Sequence, residues 1–114
     1  MTDGPVCLTL IAARSLRDEL FDYLTERSDL VPGFTASEAA GHGPNVELHS
    51  AAERVKGYAD QVLVRMILKQ ADATQLLADM KTAFAGSRLT YWIMPVTEFG
   101  LIDDRAQSAT MGQA

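Results

Sequence analysis

Two imidazoles and two carboxylates, His42, Glu47, His49 and Glu53, fall within one polar stretch of the chain. Imidazole and carboxylate together can bind zinc, copper or nickel, so metal binding is one chemistry open here, with His42 and His49 as candidate ligands. The spacing matches no established ligand pattern, and histidines in a polar loop are equally ordinary surface residues. At the start of the stretch, Gly41-His42-Gly43 lets the backbone approach a ligand closely, and free N–H groups in such a turn can hold an anion. Arg54 and Lys56, at the far end, offer positive charge to a phosphate or carboxylate, or stand as solvated loop charges. The full dinucleotide fingerprint and the P-loop are both absent, so the G-x-G is also compatible with a plain turn. Cys7 lies among apolar neighbours and reads as a small buried hydrophobe rather than a nucleophile. No nucleophile elbow and no acid/base pair stand out, so the expectation is a protein that binds rather than catalyses.

These residues belong to a chain of 114 residues, the size of one domain, spanning 1–114. Hydrophobic residues at 47% and charged residues at 22% fit an ordinary globular core and exclude general disorder. The net charge of −5, with no run of Lys or Arg, argues against nucleic acid as the partner. One cysteine cannot form an intramolecular disulfide, and the apolar run Val6–Ala13 is too short for a membrane span. The expected setting is cytoplasmic, with no direct membrane insertion.

The pattern of apolar residues supplies the elements that must position the polar stretch. Val6–Ala12 reads as a buried strand. Ser15 stands as an N-cap ahead of a helix bearing Leu16, Leu20, Tyr23 and Leu24, ended by Pro32-Gly33. Phe34–Ala39 is a second, weaker strand, and from residue 43 to 58 no period dominates, beyond a helical turn at Ser50–Glu53. Gln61–Leu68 alternates as a strand, with Val62, Val64, Met66 and Leu68 on one face and Leu63, Arg65 and Ile67 on the other. Asp72 is placed to cap a further helix with Gln75 in the capping-box position, and Leu76, Leu77, Met80, Ala83 and Phe84 form its buried stripe. Leu89–Val96 is a last long strand, Phe99–Ile102 can add a short one, and the tail from about 103 is expected to fray.

The order β-α-β, loop, β-α-β predicts an α+β fold of the ferredoxin-like, split βαβ (βαββαβ) type, an antiparallel sheet with two helices on one face. The other face would carry Arg65 and Ile67 with either Leu89, Tyr91 and Ile93 or Trp92, Met94 and Val96. That is too much apolar surface to leave in water as one patch, so further copies of the chain are expected to cover it.

With the long loop between its second and third strands, the chain resembles the PII-like signalling proteins, and more closely a PII-like family of unknown function often encoded beside heavy-metal efflux pumps. The likeness is carried by Cys7-Leu8-Thr9-Leu10-Ile11, Gly33-Phe34-Thr35, Gly41-His42-Gly43, Ser50-Ala51-Ala52-Glu53-Arg54-Val55-Lys56-Gly57 and Tyr91-Trp92-Ile93-Met94-Pro95-Val96. It implies a homotrimer with sheets facing inward, a small effector at the subunit cleft near Gly41, His42 and Gly43, and a switch loop at 43–58. Through Asn45, Glu47, His49, Glu53 and Tyr58 that loop would dock a partner, by this likeness a membrane transport protein. Signalling PII proteins carry a glycine-rich, lysine-bearing phosphate loop between the second helix and the next strand. Here that connection is only Phe84-Ala85-Gly86-Ser87-Arg88, too short to wrap a triphosphate. The effectors left open are an adenine nucleotide with fewer phosphates, a small anion or a metal ion, the last in a metal-binding accessory protein of a resistance system.

Overall fold

Val6, Leu8, Leu10 and Ala12 alternate along strand β1 (Pro5–Ala13) and are all buried, which sets the inner face of the sheet. The computed structural model describes residues 4–103. Strand β3 (Ala59–Lys69) lies antiparallel to β1 with Val64 opposite Leu10, so Val62, Val64, Met66 and Leu68 continue that face. Strand β2 (Thr35–Gly41) pairs with the far side of β3, and β4 (Thr90–Pro95) with the far side of β1. The four strands run in the order β2-β3-β1-β4. With the helices this is the ferredoxin-like βαββαβ plan expected above.

Helix α1 (Arg17–Glu26) covers the inner face with Leu20 and Leu24, and helix α3 (Gln70–Ala83) with Ala73, Leu76, Leu77 and Met80. Leu8, Leu10, Leu20, Leu24 and Leu76 are sealed from solvent, and they anchor one continuous core. A polar tie closes its rim. Arg27, just past the end of α1, donates to Asp79 of α3 at 2.8 Å and to the Tyr23 hydroxyl at 2.9 Å, while Tyr23 meets Phe84 edge-on at 5.2 Å. The Arg27 guanidinium, helped by the Gln75 amide, holds the Asp79 carboxyl below the usual carboxylate range.

The second sheet face answers the question that alternation left open. Trp92 pairs with Thr9 and Met94 with Cys7, so Trp92 and Met94 share the outer face with Leu63, Arg65 and Ile67, while Tyr91 and Ile93 turn toward the helices. Trp92 and Met94 are 40% and 56% exposed, while Thr9 on the same face is buried.

Several local readings are corrected. Ser15 lies inside a 3-10 turn (Arg14–Leu16), where helical backbone bars it from capping; Leu16 occupies the cap position of α1 without a side-chain bond. Strand β3 passes directly into α3, so the helix begins before Asp72, which sits in its first turn and not at its cap. Gln75 bonds Asp79 one turn on instead of reaching back. Ala83 is exposed, and Ala73 takes its place in the stripe. Phe99–Ile102 forms no strand and leaves Phe99, Leu101 and Ile102 exposed. Of the tail expected to fray, residues 104–114 lie outside the described residues.

Truncating a sealed core leucine removes its transfer energy and leaves a cavity. Leu20→Ala is expected to lower unfolding stability by about 2–5 kcal/mol in urea denaturation, and a loss under about 1 kcal/mol would place Leu20 outside the core.

Candidate functional site

Antiparallel pairing brings the end of β1, the end of β2, the start of β3 and the start of β4 to the same end of the sheet. Ala13 stands opposite Gln61, Gly41 opposite Ala59 and Thr90 opposite Ile11. Three connections therefore converge there: the Arg14–Leu16 turn, the 42–58 loop and the turn between α3 and β4. Between them lies an open cleft of about 330 Å³ lined by Ala13, Ser15, Leu16, Asn45, Val46, Glu47, His49, Ala59, Gln61, Gly86, Ser87, Arg88 and Thr90.

The loop is far more ordered than its lack of period suggested. Its centre is helix α2 (Ala51–Lys56), capped by the Ser50 hydroxyl, which accepts the Glu53 N–H at 3.0 Å. The Glu53 carboxylate turns back to accept the His49 N–H at 2.6 Å, a capping box shifted by one residue. Its other oxygen accepts the Asp60 N–H, also at 2.6 Å, and so joins the loop to the first residues of β3. Glu53 is buried, and these amide donors, His49 foremost and then Asp60, hold its carboxyl below the ordinary glutamate range. Gly57 ends the helix at φ +86°, a left-handed turn that a side chain would strain.

Other contacts close the loop's neck. The His42 ring lies 5.1 Å from the Tyr58 ring, and the Lys56 ammonium sits 4.8 Å over Tyr58 while pairing with Asp60 at 2.7 Å. Gly41 is buried at the end of β2, where a Cβ would run into the Gln61 side chain. Gly43 turns at φ +134°, and Arg54 is exposed on α2. Of the residues singled out in the sequence, Asn45, Glu47 and His49 line the cleft; Gly41, His42, Gly43, Arg54 and Lys56 do not. His42 and His49 part company, one against Tyr58 and the other 3.9 Å from Glu47. Among the described residues no group of three or more His, Cys, Asp or Glu side chains is placed to hold a metal ion.

The residue that sequence reasoning missed is Arg88. Its backbone is left-handed at φ +61°, a conformation costing a non-glycine residue about 1–2 kcal/mol, and such strain concentrates at functional sites. Its guanidinium pairs with Glu47 and donates to the Asn45 carbonyl at 3.3 Å, so it bridges the α3–β4 turn to the loop. The signal lay in Gly86-Ser87-Arg88, a short turn with one cation just before a strand. A second groove, about 200 Å³, runs between α3 and β4 beside Leu77, Met80 and Tyr91.

Residues 2–103 match the family described as Protein of unknown function (DUF3240). The chain belongs to the DUF3240 family. A DUF3240 family protein from Shewanella baltica OS155 is 20% identical, with a TM-score of 0.70 over 90% of this chain and 100% of that one. The fold extends beyond the family. A PII-like signalling protein from Thermus thermophilus is 15% identical, at a TM-score of 0.59 over 84% of this chain and 91% of that one. CPII, a nitrogen regulatory PII-like protein from Thiomonas intermedia K12 solved with ADP, AMP and bicarbonate, is 16% identical, at 0.62 over 86% and 97%. No curated protein matches the sequence. This DUF3240 chain thus has the PII-like form of the ferredoxin-like fold.

Glu53 gives two linked expectations. In Glu53→Gln, the His49 and Asp60 amides should exchange with solvent about tenfold faster or more, because charged acceptors make the stronger bonds. A carboxyl whose folded pKa is depressed stabilises fully above its unfolded value, here near 4.5, and loses that stabilisation as pH falls through the folded one. NMR signals of Ser50–Lys56 should therefore hold from pH 7 to about 5 and collapse at lower pH before those of β1. A loop that melts together with the core, or melts on raising the pH, contradicts the assignment.

Proposed function

We propose that this chain is a PII-like regulator that takes a small anionic effector, an adenine mono- or diphosphate in the first instance, into the cleft at the loop end of the sheet. The observation that carries this reading is Arg88, a strained cation on the cleft wall whose guanidinium already holds a carboxylate of the loop. A guanidinium fork fits carboxylate and phosphate oxygens alike. The CPII neighbour, alike in fold, was solved with ADP, AMP and bicarbonate, which supports that class of ligand.

In this reading the protein acts by binding and not by catalysis, and it works in the cytoplasm. Among the described residues no helix is long and apolar enough to cross a membrane. The outer sheet face, with Trp92, Met94, Leu63 and Ile67 around Thr9, is buried between copies in a homotrimer, as the PII-like resemblance implies. The 42–58 loop stands at the trimer's rim and docks a partner, a membrane transport protein by the same resemblance. A metal-binding role has weaker support, because the two histidines point to different neighbours.

A ligand that binds only the folded protein at a hundred times its Kd stabilises it by about 2.7 kcal/mol. ADP or AMP should therefore raise the melting temperature by several degrees, with no rise in Arg88→Ala. Sedimentation equilibrium of the parent should return three times the chain mass. No shift with any of ADP, AMP, bicarbonate or acetate would defeat the effector reading, and a monomer at micromolar concentration would defeat the covered face.

A further inference from the structure

The Arg88–Glu47 pair joins two parts of the chain that the fold holds very differently. Arg88 sits on a short turn between α3 and β4, both packed into the core sheet. Glu47 sits on the stretch between Gly43 and Ser50, ahead of the point where Glu53 staples the loop to β3. The link between them is exposed, with the two side chains 59% and 54% accessible. The other Glu47 oxygen has His49 near it, at 3.9 Å. Glu47 and Arg88 both line the same cleft.

We infer that Glu47 is a built-in competitor for the effector: it occupies the Arg88 guanidinium in the empty protein, and an incoming oxyanion displaces it and frees the Asn45–Glu47 segment. The inference rests on the effector reading above and assigns its regulation. A guanidinium that gives its fork to a phosphate gives up a carboxylate held through the same N–H groups, and the Asn45 carbonyl loses its donor with it. The Glu53 staple does not involve Arg88, so α2 stays attached while the segment ahead of it is released. Effector binding thereby changes only the first part of the loop. An exposed ion pair is a weak competitor, worth about two- to fivefold in affinity, which suits a contact that must yield.

The test is calorimetry of the full chain with ADP and, separately, with inorganic phosphate, for the parent, Glu47→Gln and Arg88→Gln. Amide exchange of Asn45–Leu48 is followed in each, and circular dichroism confirms that the variants fold. Competition predicts that Glu47→Gln binds about two- to fivefold more tightly. Exchange of the Val46 amide, which donates to the Gly43 carbonyl at 3.3 Å, should then be fast without ligand in Glu47→Gln, but fast only with ligand in the parent. Arg88→Gln should lose binding and exchange quickly throughout. Release by phosphate alone, or by ADP alone, upholds the competition and says which species carries the anion. If Glu47→Gln binds no more tightly than the parent while Arg88→Gln loses binding, the competitor is overturned and the effector site stands. If neither probe binds the parent, both fall.

Discussion

The order β2-β3-β1-β4, all antiparallel, governs everything else in this molecule. Both helices must pack on one side, because each βαβ crossover returns over the same inner face of Val6, Leu8, Leu10, Val62, Val64 and Met66. The consequence is an asymmetry in two directions. The helices bury the middle of one face, on β1 and β3, and the other face carries the exposed Trp92 and Met94. One end of the sheet gathers the long loop and two short turns. A rigid floor with variable connections at one end is a common way for a fold to carry binding function.

The loop at that end is held by two carboxylates of opposite character. Glu53 is buried, takes two short N–H bonds and is kept ionised by them, so it fixes α2 against the start of β3. Glu47 is exposed and reaches the Arg88 cation across the cleft. The first contact ties α2 to the sheet, and the second ties the start of the loop to the α3–β4 turn. A protein that had to move its loop in response to a small anion needs both, one to keep the moving part attached and one to let go. The left-handed backbone at Arg88 fits this division, since backbone strain of this kind gathers at functional sites.

Much of the fold was legible because the core strands alternate without interruption. Val62, Val64, Met66 and Leu68 declare one face, and the helical spacing of Leu20 with Leu24 and of Leu76 with Met80 declares the covering helices. The capping signals at Ser15 and Asp72 misled, since a 3-10 turn and a strand running straight into a helix both shift a helix start without changing the apolar pattern. Which face Trp92 takes could not be settled by alternation in a strand apolar on both sides; only its register against Thr9 decides. The turn at Ser50–Glu53 was legible, but the rest of α2 was not, because the helix is short and held by polar bonds, leaving no apolar period to detect. Arg88 was obscured for a different reason: its role depends on a neighbour 41 positions away, and only the topology brings Glu47 to it.

A small anion is held to enter where the β1 turn, the loop and the α3–β4 turn meet, and the rest of the functional reading stands on that. Backbone amide shift mapping by NMR, with ADP and bicarbonate titrated into the ¹⁵N-labelled protein, tests it directly. The expected shifts concentrate at Ala13–Leu16, Asn45–His49 and Gly86–Thr90, with α2 little changed. Shifts gathered instead along the groove beside Leu77, Met80 and Tyr91, or no shifts at all, would contradict it.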